Sequence, residues 1–173
     1  IADMADARIV GPFERDLLGE AGWPLLIEEA TTGQIAFPGG ALSIALTPAM
    51  TLIDIDGELA PAALALAGAH AAAAALARLD IAGSIGIDLP TVQDKAVRLA
   101  IAETVDAVLP QPFERTAVNG FGFLQIVRRR SRASLPELFA HVPAHARALL
   151  RQADRTGGSG ERTLAAHPAV VAA

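Results

Sequence analysis

Met50-Thr51-Leu52-Ile53-Asp54-Ile55-Asp56-Gly57 decides how this chain folds. Strand side chains alternate with period two, so Ile53 and Ile55 point one way and Asp54 and Asp56 the other. One face suits a core and the other suits water. Ser84-Ile85-Gly86-Ile87-Asp88 repeats the pattern, with Ile85 and Ile87 opposed to Ser84, Gly86 and Asp88. Two apolar strands that each release an aspartate at the end can frame a divalent cation, because hard cations take carboxylate oxygens. The same residues also suit plain geometry, since Asp and Gly favour the turns that follow strands. Spacing alone leaves both readings open.

The pattern extends outward from this stretch. Gln34 to Phe37 reads as a short strand and Pro38-Gly39-Gly40 as a turn. Ala41 to Thr47 alternates, with Leu42, Ile44 and Leu46 on one face. The short link at Pro48-Ala49 predicts an antiparallel pair with the acidic strand. Downstream, Pro61 suits the first turn of an alanine-rich helix over Ala62 to Leu79. Strand, helix, strand predicts a right-handed crossover with parallel strands. Thr91 with Asp94 reads as a capping-box variant opening a helix to about Val108, just after Asp88.

Further on, Arg115 to Val118 reads as a strand, and Asn119-Gly120 as a hairpin signal. Phe121 to Arg130 follows as a strand, with Phe121, Phe123, Gln125 and Val127 sharing a face. Ser134 and Glu137 form a second capping box, and Pro143 opens a helix to about Asp154. A loop over Thr156 to Gly160, a strand over Arg162 to Ala165 and a helix from Pro168 complete the chain. Residues 1–35 are weakly patterned, with short helices at Glu14 to Gly19 and Leu25 to Ala30. The fold class is α/β, a mixed β-sheet with helices packed on it.

Composition narrows the function. The chain has 173 residues and is 52% hydrophobic, much of it alanine, with a single Trp and no Tyr, so its core is aliphatic. A net charge of −5 is not the composition of a general nucleic-acid binder. A phosphate partner would be held locally, by the cluster Arg128, Arg129, Arg130 and Arg132. The lack of cysteine excludes disulfides, cysteine-based zinc sites and thiol catalysis, and fits a reducing, cytoplasmic setting. No segment reaches the uninterrupted apolar length of a membrane span, and no basic-then-apolar signal pattern opens the chain. His141 and His145 have helical spacing, but Pro143 lies between them and no third ligand is near, so they read as a surface pair. Gly120 and Gly122 read as hairpin geometry, since no helix follows to make a phosphate loop.

In this order and spacing the chain resembles the ribonuclease E/G family, best from Gly39 to Leu135. The family's Gly-Gly turn and Thr-Glu-Ala-Leu-Thr-x-Ile-Asp-x-Asn/Asp strand correspond to Gly39-Gly40 and Thr47 to Asp56. Its Asp-Leu-Gly-Gly and Ile-x-Ile-Asp elements correspond to Asp80-Ile81-Ala82-Gly83 and Ile85-Gly86-Ile87-Asp88. Its Gly-Leu-x-Glu-x-x-Arg-x-Arg strand and Ser-Leu correspond to Gly122 to Arg130 and Ser134-Leu135.

The resemblance implies a deoxyribonuclease I-like catalytic subdomain over 37–135. Residues 1–36 would be a connecting or truncated N-terminal segment, and 136–173 the start of a small C-terminal domain. It also implies a magnesium ion held by Asp54 and Asp88 as catalytic ligands, with Asp56 assisting, and hydrolysis of single-stranded RNA in RNA processing or decay. A homo-oligomer is one assembly compatible with it, and the sequence does not fix the oligomeric state. Departures are plain: the crossover helix carries Ala65-Leu66-Ala67-Gly68-Ala69 where the family has Asn-Leu-Glu-Ala-Ala, and Arg78 is its one basic residue. The family's subunit-linking cysteine pair has no counterpart after Leu135, nor do its oligonucleotide-binding barrel and 5′-end sensor appear in these residues. The alternative is a non-catalytic RNA-binding or interaction remnant.

Overall fold

The computed structural model describes residues 11, 14–156, 161 and 163–172. The chain divides into two compact units, Leu26–Ala140 and a second built from 1–25 with 141–173. The larger unit begins ahead of residue 37. It takes in most of helix α2 (Trp23–Thr32) and the edge strand β1 (Gln34–Phe37), whose Ile35 is buried in the core.

The sheet of the larger unit is mixed and six-stranded. It adds β2 (Gly40–Leu46), β3 (Thr51–Gly57), β4 (Gly83–Asp88), β5 (Glu114–Arg115) and β6 (Phe123–Arg128) in the order β1-β2-β3-β4-β6-β5. β2 and β3 are antiparallel, as the short Pro48-Ala49 link dictates. β3 and β4 are the parallel pair, joined across helix α3 (Pro61–Arg78). β4 to β6 and β6 to β5 are again antiparallel.

One sheet face is mainly apolar, with Thr51 and Arg128 among its polar members. Leu42, Ile53, Ile55, Ile85, Ile87, Leu124 and Ile126 are buried there. α3 lies close on this face because its inward residues are small: Ala65, Gly68, Ala69, Ala72, Ala73 and Ala75 are buried with Leu64 and Leu76. A Cβ added at Gly68 would stand 2.5 Å from Cγ2 of Ile55, so only glycine allows that approach. Helix α4 (Lys95–Val108) packs beside α3 and buries Ile101, Ala102 and Val105.

α3 ends in a tight motif. Asp80 takes φ 52, Ile81 N–H donates to Leu76 C=O at 3.0 Å, and Asp80 N–H donates to Ala77 C=O at 3.4 Å. This pair of bonds is the Schellman arrangement that satisfies the last carbonyls of a helix. Ser134 and Glu137 form the expected capping box ahead of helix α5 (Leu135–Phe139). The expected box at Thr91 does not form. Asp94 caps α4, accepting from Ala96 N–H at 2.8 Å, while the Thr91 hydroxyl donates to Phe121 C=O at 3.0 Å. A loop over Leu89 to Asp94 therefore separates Asp88 from the helix start.

In the smaller unit, helix α1 (Leu17–Glu20) is capped by Asp16, whose carboxylate also pairs with Arg151 of helix α6 (Val142–Arg155) at 2.6 Å. Helix α7 (Pro168–Val171) is a single turn capped by His167. Residues 163–167 form no strand, against expectation, and Arg162 lies outside the described residues, as does most of the expected loop over Thr156 to Gly160. Among the described residues no helix is long and apolar enough to cross a membrane.

Candidate metal centre

The outer sheet face, opposite α3, carries the polar alternates of every strand. Its best-ordered row crosses five strands: Gln34, Ser43, Asp54, Asp88 and Phe123 are successive register partners. Asp54 and Asp88 are thus direct neighbours on parallel strands about 4.8 Å apart, with side chains on the same face. Both are exposed, and so is Asp56, two residues along β3. Among the described residues no ion pair or side-chain hydrogen bond engages any of the three. Ser43 continues the polar row, its hydroxyl donating to Gln34 Oε1 at 3.2 Å.

This placement follows from packing under the sheet. Ile53 pairs with Ile87, and both are fully buried on the core face of the sheet, which fixes the slide of β3 against β4. With period-two alternation, burying the isoleucines forces the next residues, Asp54 and Asp88, outward together. Asp56 is not in that row; it pairs with Ala41. Among the described residues no three His, Asp or Glu side chains gather as a metal-binding group, so the close set is the Asp54/Asp88 pair.

The arginines stand elsewhere. Arg128 pairs in register with Gly83 at the start of β4, five residues from Asp88, roughly 17 Å at the rise of a strand. Arg128 also lies on the α3 face, where its guanidinium donates to Leu76 C=O at 3.5 Å and Ile81 C=O at 3.3 Å. It completes the capping of α3. Arg130 pairs with Glu137 at 2.8 Å, and Arg132 pairs with Asp80. Glu137 is held below the ordinary carboxylate range, chiefly by the Ser134 backbone N–H, with the Arg130 charge adding to it. Arg129 is exposed, and no ion pair holds it among the described residues. A cavity of about 290 Å³ opens between Asp80, Pro112, Arg128, Arg129, Ser131 and Arg132.

His141 caps the start of α6 by position only, and His145 lies one turn on within that helix. The expected common stripe of Phe121, Phe123, Gln125 and Val127 holds for the last three. Phe121 falls in the turn before β6, ahead of Gly122 at φ 94. The second glycine after Asn119-Gly120 was the sequence signal for that longer turn.

No protein-family model and no curated protein matches this chain.

Proposed function

We propose that the chain is a metal-dependent endoribonuclease of the ribonuclease E/G type, with a deoxyribonuclease I-like subdomain that hydrolyses phosphodiester bonds of single-stranded RNA. The observation that carries this reading is the register of Asp54, midway along β3, with Asp88 at the carboxyl end of the parallel strand β4. Open α/β sheets collect their ligands at such strand ends.

The donor set fits magnesium. That ion is commonly bound through one or two carboxylates while it keeps several waters, and two exposed, unengaged carboxylates side by side offer that arrangement. Asp54 and Asp88 would hold it, with Asp56 supporting from two residues along β3. When bound, magnesium polarises a phosphoryl oxygen and readies a water for in-line attack. The chain's own part is to keep the two carboxylates together. Like charges opposite each other on a sheet repel, so the pair favours a cation. Ile53 and Ile87, the buried residues just before the two aspartates, anchor the strands here and limit how far the carboxylates can part. Ser43 and Gln34 extend the row with a hydroxyl and an amide that can hydrogen-bond water or phosphate.

A second reading is supported by the arginines. Arg128, Arg130 and Arg132 are engaged by the protein itself and so withdrawn from phosphate, which speaks against the full enzyme and for a non-catalytic descendant whose RNA or partner contact would fall to Arg129. Incubating the full chain with a short single-stranded RNA separates the two. The nuclease reading expects cleavage that needs magnesium and is lost in Asp54→Asn and in Asp88→Asn. Undiminished cleavage in both variants overturns the metal assignment. RNA binding that weakens steeply with salt, without cleavage, supports the second reading.

A further inference from the structure

Phe121 is the most exposed large apolar side chain among the described residues, at 85%. Its backbone is nonetheless tightly held. Asn119 Oδ1 accepts from Phe121 N–H at 2.9 Å and from Phe123 N–H at 3.0 Å. Phe121 C=O accepts from the Thr91 hydroxyl. Leu89 N–H donates to Gly122 C=O at 3.1 Å, and a side chain at Gly122 would run into the Leu89 carbonyl. The turn is therefore fastened to Leu89, the residue after Asp88. Phe123, the register partner of Asp88, lies over Gly86, where a Cβ would stand 2.5 Å from its Cζ. Aromatics are 4% of this chain, and two of them flank the aspartate end of β4.

An acidic site that binds RNA needs a grip that does not depend on positive charge, because the arginine cluster stands at the other end of the strand. Aromatic rings supply one. Bases stack on them with little regard to sequence, since every base has a π-face. We propose that Phe121 is a stacking platform for a nucleobase of single-stranded RNA, next to the phosphate that a magnesium ion on Asp54 and Asp88 would hold; this rests on the nuclease reading above. The fastened turn keeps the ring presented, so little ordering is needed when the base arrives.

The test uses the full chain and a short single-stranded RNA, with affinity read by fluorescence anisotropy in calcium and KM and kcat read in magnesium. Stacking is worth roughly 1–3 kcal/mol per base, so Phe121→Ala should weaken binding about tenfold and raise KM, with kcat little changed. Phe121→Trp should restore affinity, and its emission should be quenched by RNA over the fixed background of Trp23. An abasic residue at one position of the RNA should erase the difference between wild type and Phe121→Ala. Unchanged affinity in Phe121→Ala, as for a ring that serves a protein partner, overturns the proposal. So does a loss that persists with every abasic RNA. If stacking fails while Asp88→Asn still abolishes cleavage, the nuclease reading stands without it. If wild type neither binds nor cleaves, both fall.

Discussion

The two ends of β4 carry opposite charge and use it in opposite ways. At the carboxyl end, Asp54, Asp56 and Asp88 face water with no protein partner among the described residues. At the amino end, Arg128 closes α3, Arg130 pairs with Glu137 and Arg132 with Asp80. Charges that serve the fold are satisfied by the fold. Charges left side by side and unpaired cost stability, and retaining them points to a ligand outside the chain. On the proposed reading the acids serve function, while three of the four arginines serve structure.

The largest expected effects are on activity. Asp54→Asn or Asp88→Asn should lower magnesium-dependent cleavage by about 10³-fold, the loss of several kcal/mol of electrostatic help. Arg128→Ala should cost about 1–2 kcal/mol in denaturant unfolding, since it strips charged hydrogen bonds from a helix end, while cleavage per folded molecule is kept. A loss of cleavage with stability unchanged would reverse the roles given to the two ends.

Asp88→Asn should leave stability unchanged or raise it by about 0.2–1 kcal/mol without metal, because it relieves a like-charged neighbour pair. Magnesium should raise the Tm of wild type and not of this variant, a readout independent of catalysis. A smaller effect concerns Asp16, an acid that does have a partner. The Arg151 hydrogen bond, helped by the Gly19 N–H, brings its pKa from 3.8 down to about 2. A folded-state pKa below the unfolded one gives stability that is present above about pH 4 and lost as pH falls toward 2. Asp16→Asn should flatten that acid limb in a pH series of thermal melts. No such limb should depend on Arg129, where substitution by Ala should change stability by less than about 0.5 kcal/mol.

Much of this was legible in the sequence where the cause is local. Alternation placed Ile53 and Ile55 against Asp54 and Asp56, and the alanine-rich connection required β3 and β4 to be parallel. The same alternation put Arg128 on the face of Leu124 and Ile126. Its partners could not be read, because the carbonyls it meets lie 47 and 52 residues away. The Thr91 box failed for a related reason: its hydroxyl is taken by Phe121, 30 residues on, and Asp94 alone suffices as a cap. The pairing of Asp16 with Arg151, 135 residues apart, likewise joins segments that share no pattern.

The alanines of α3 have a thermal consequence. Each brings little apolar surface out of water, so close contact stands in for area along much of this core. Unfolding should then expose less apolar surface than a leucine-rich core of the same length, and the heat-capacity increment should fall at the low end of the usual ~12–15 cal/mol/K per residue. A small increment makes the stability curve shallow, with a broad maximum and a remote cold-denaturation limb, which scanning calorimetry of the full chain would trace.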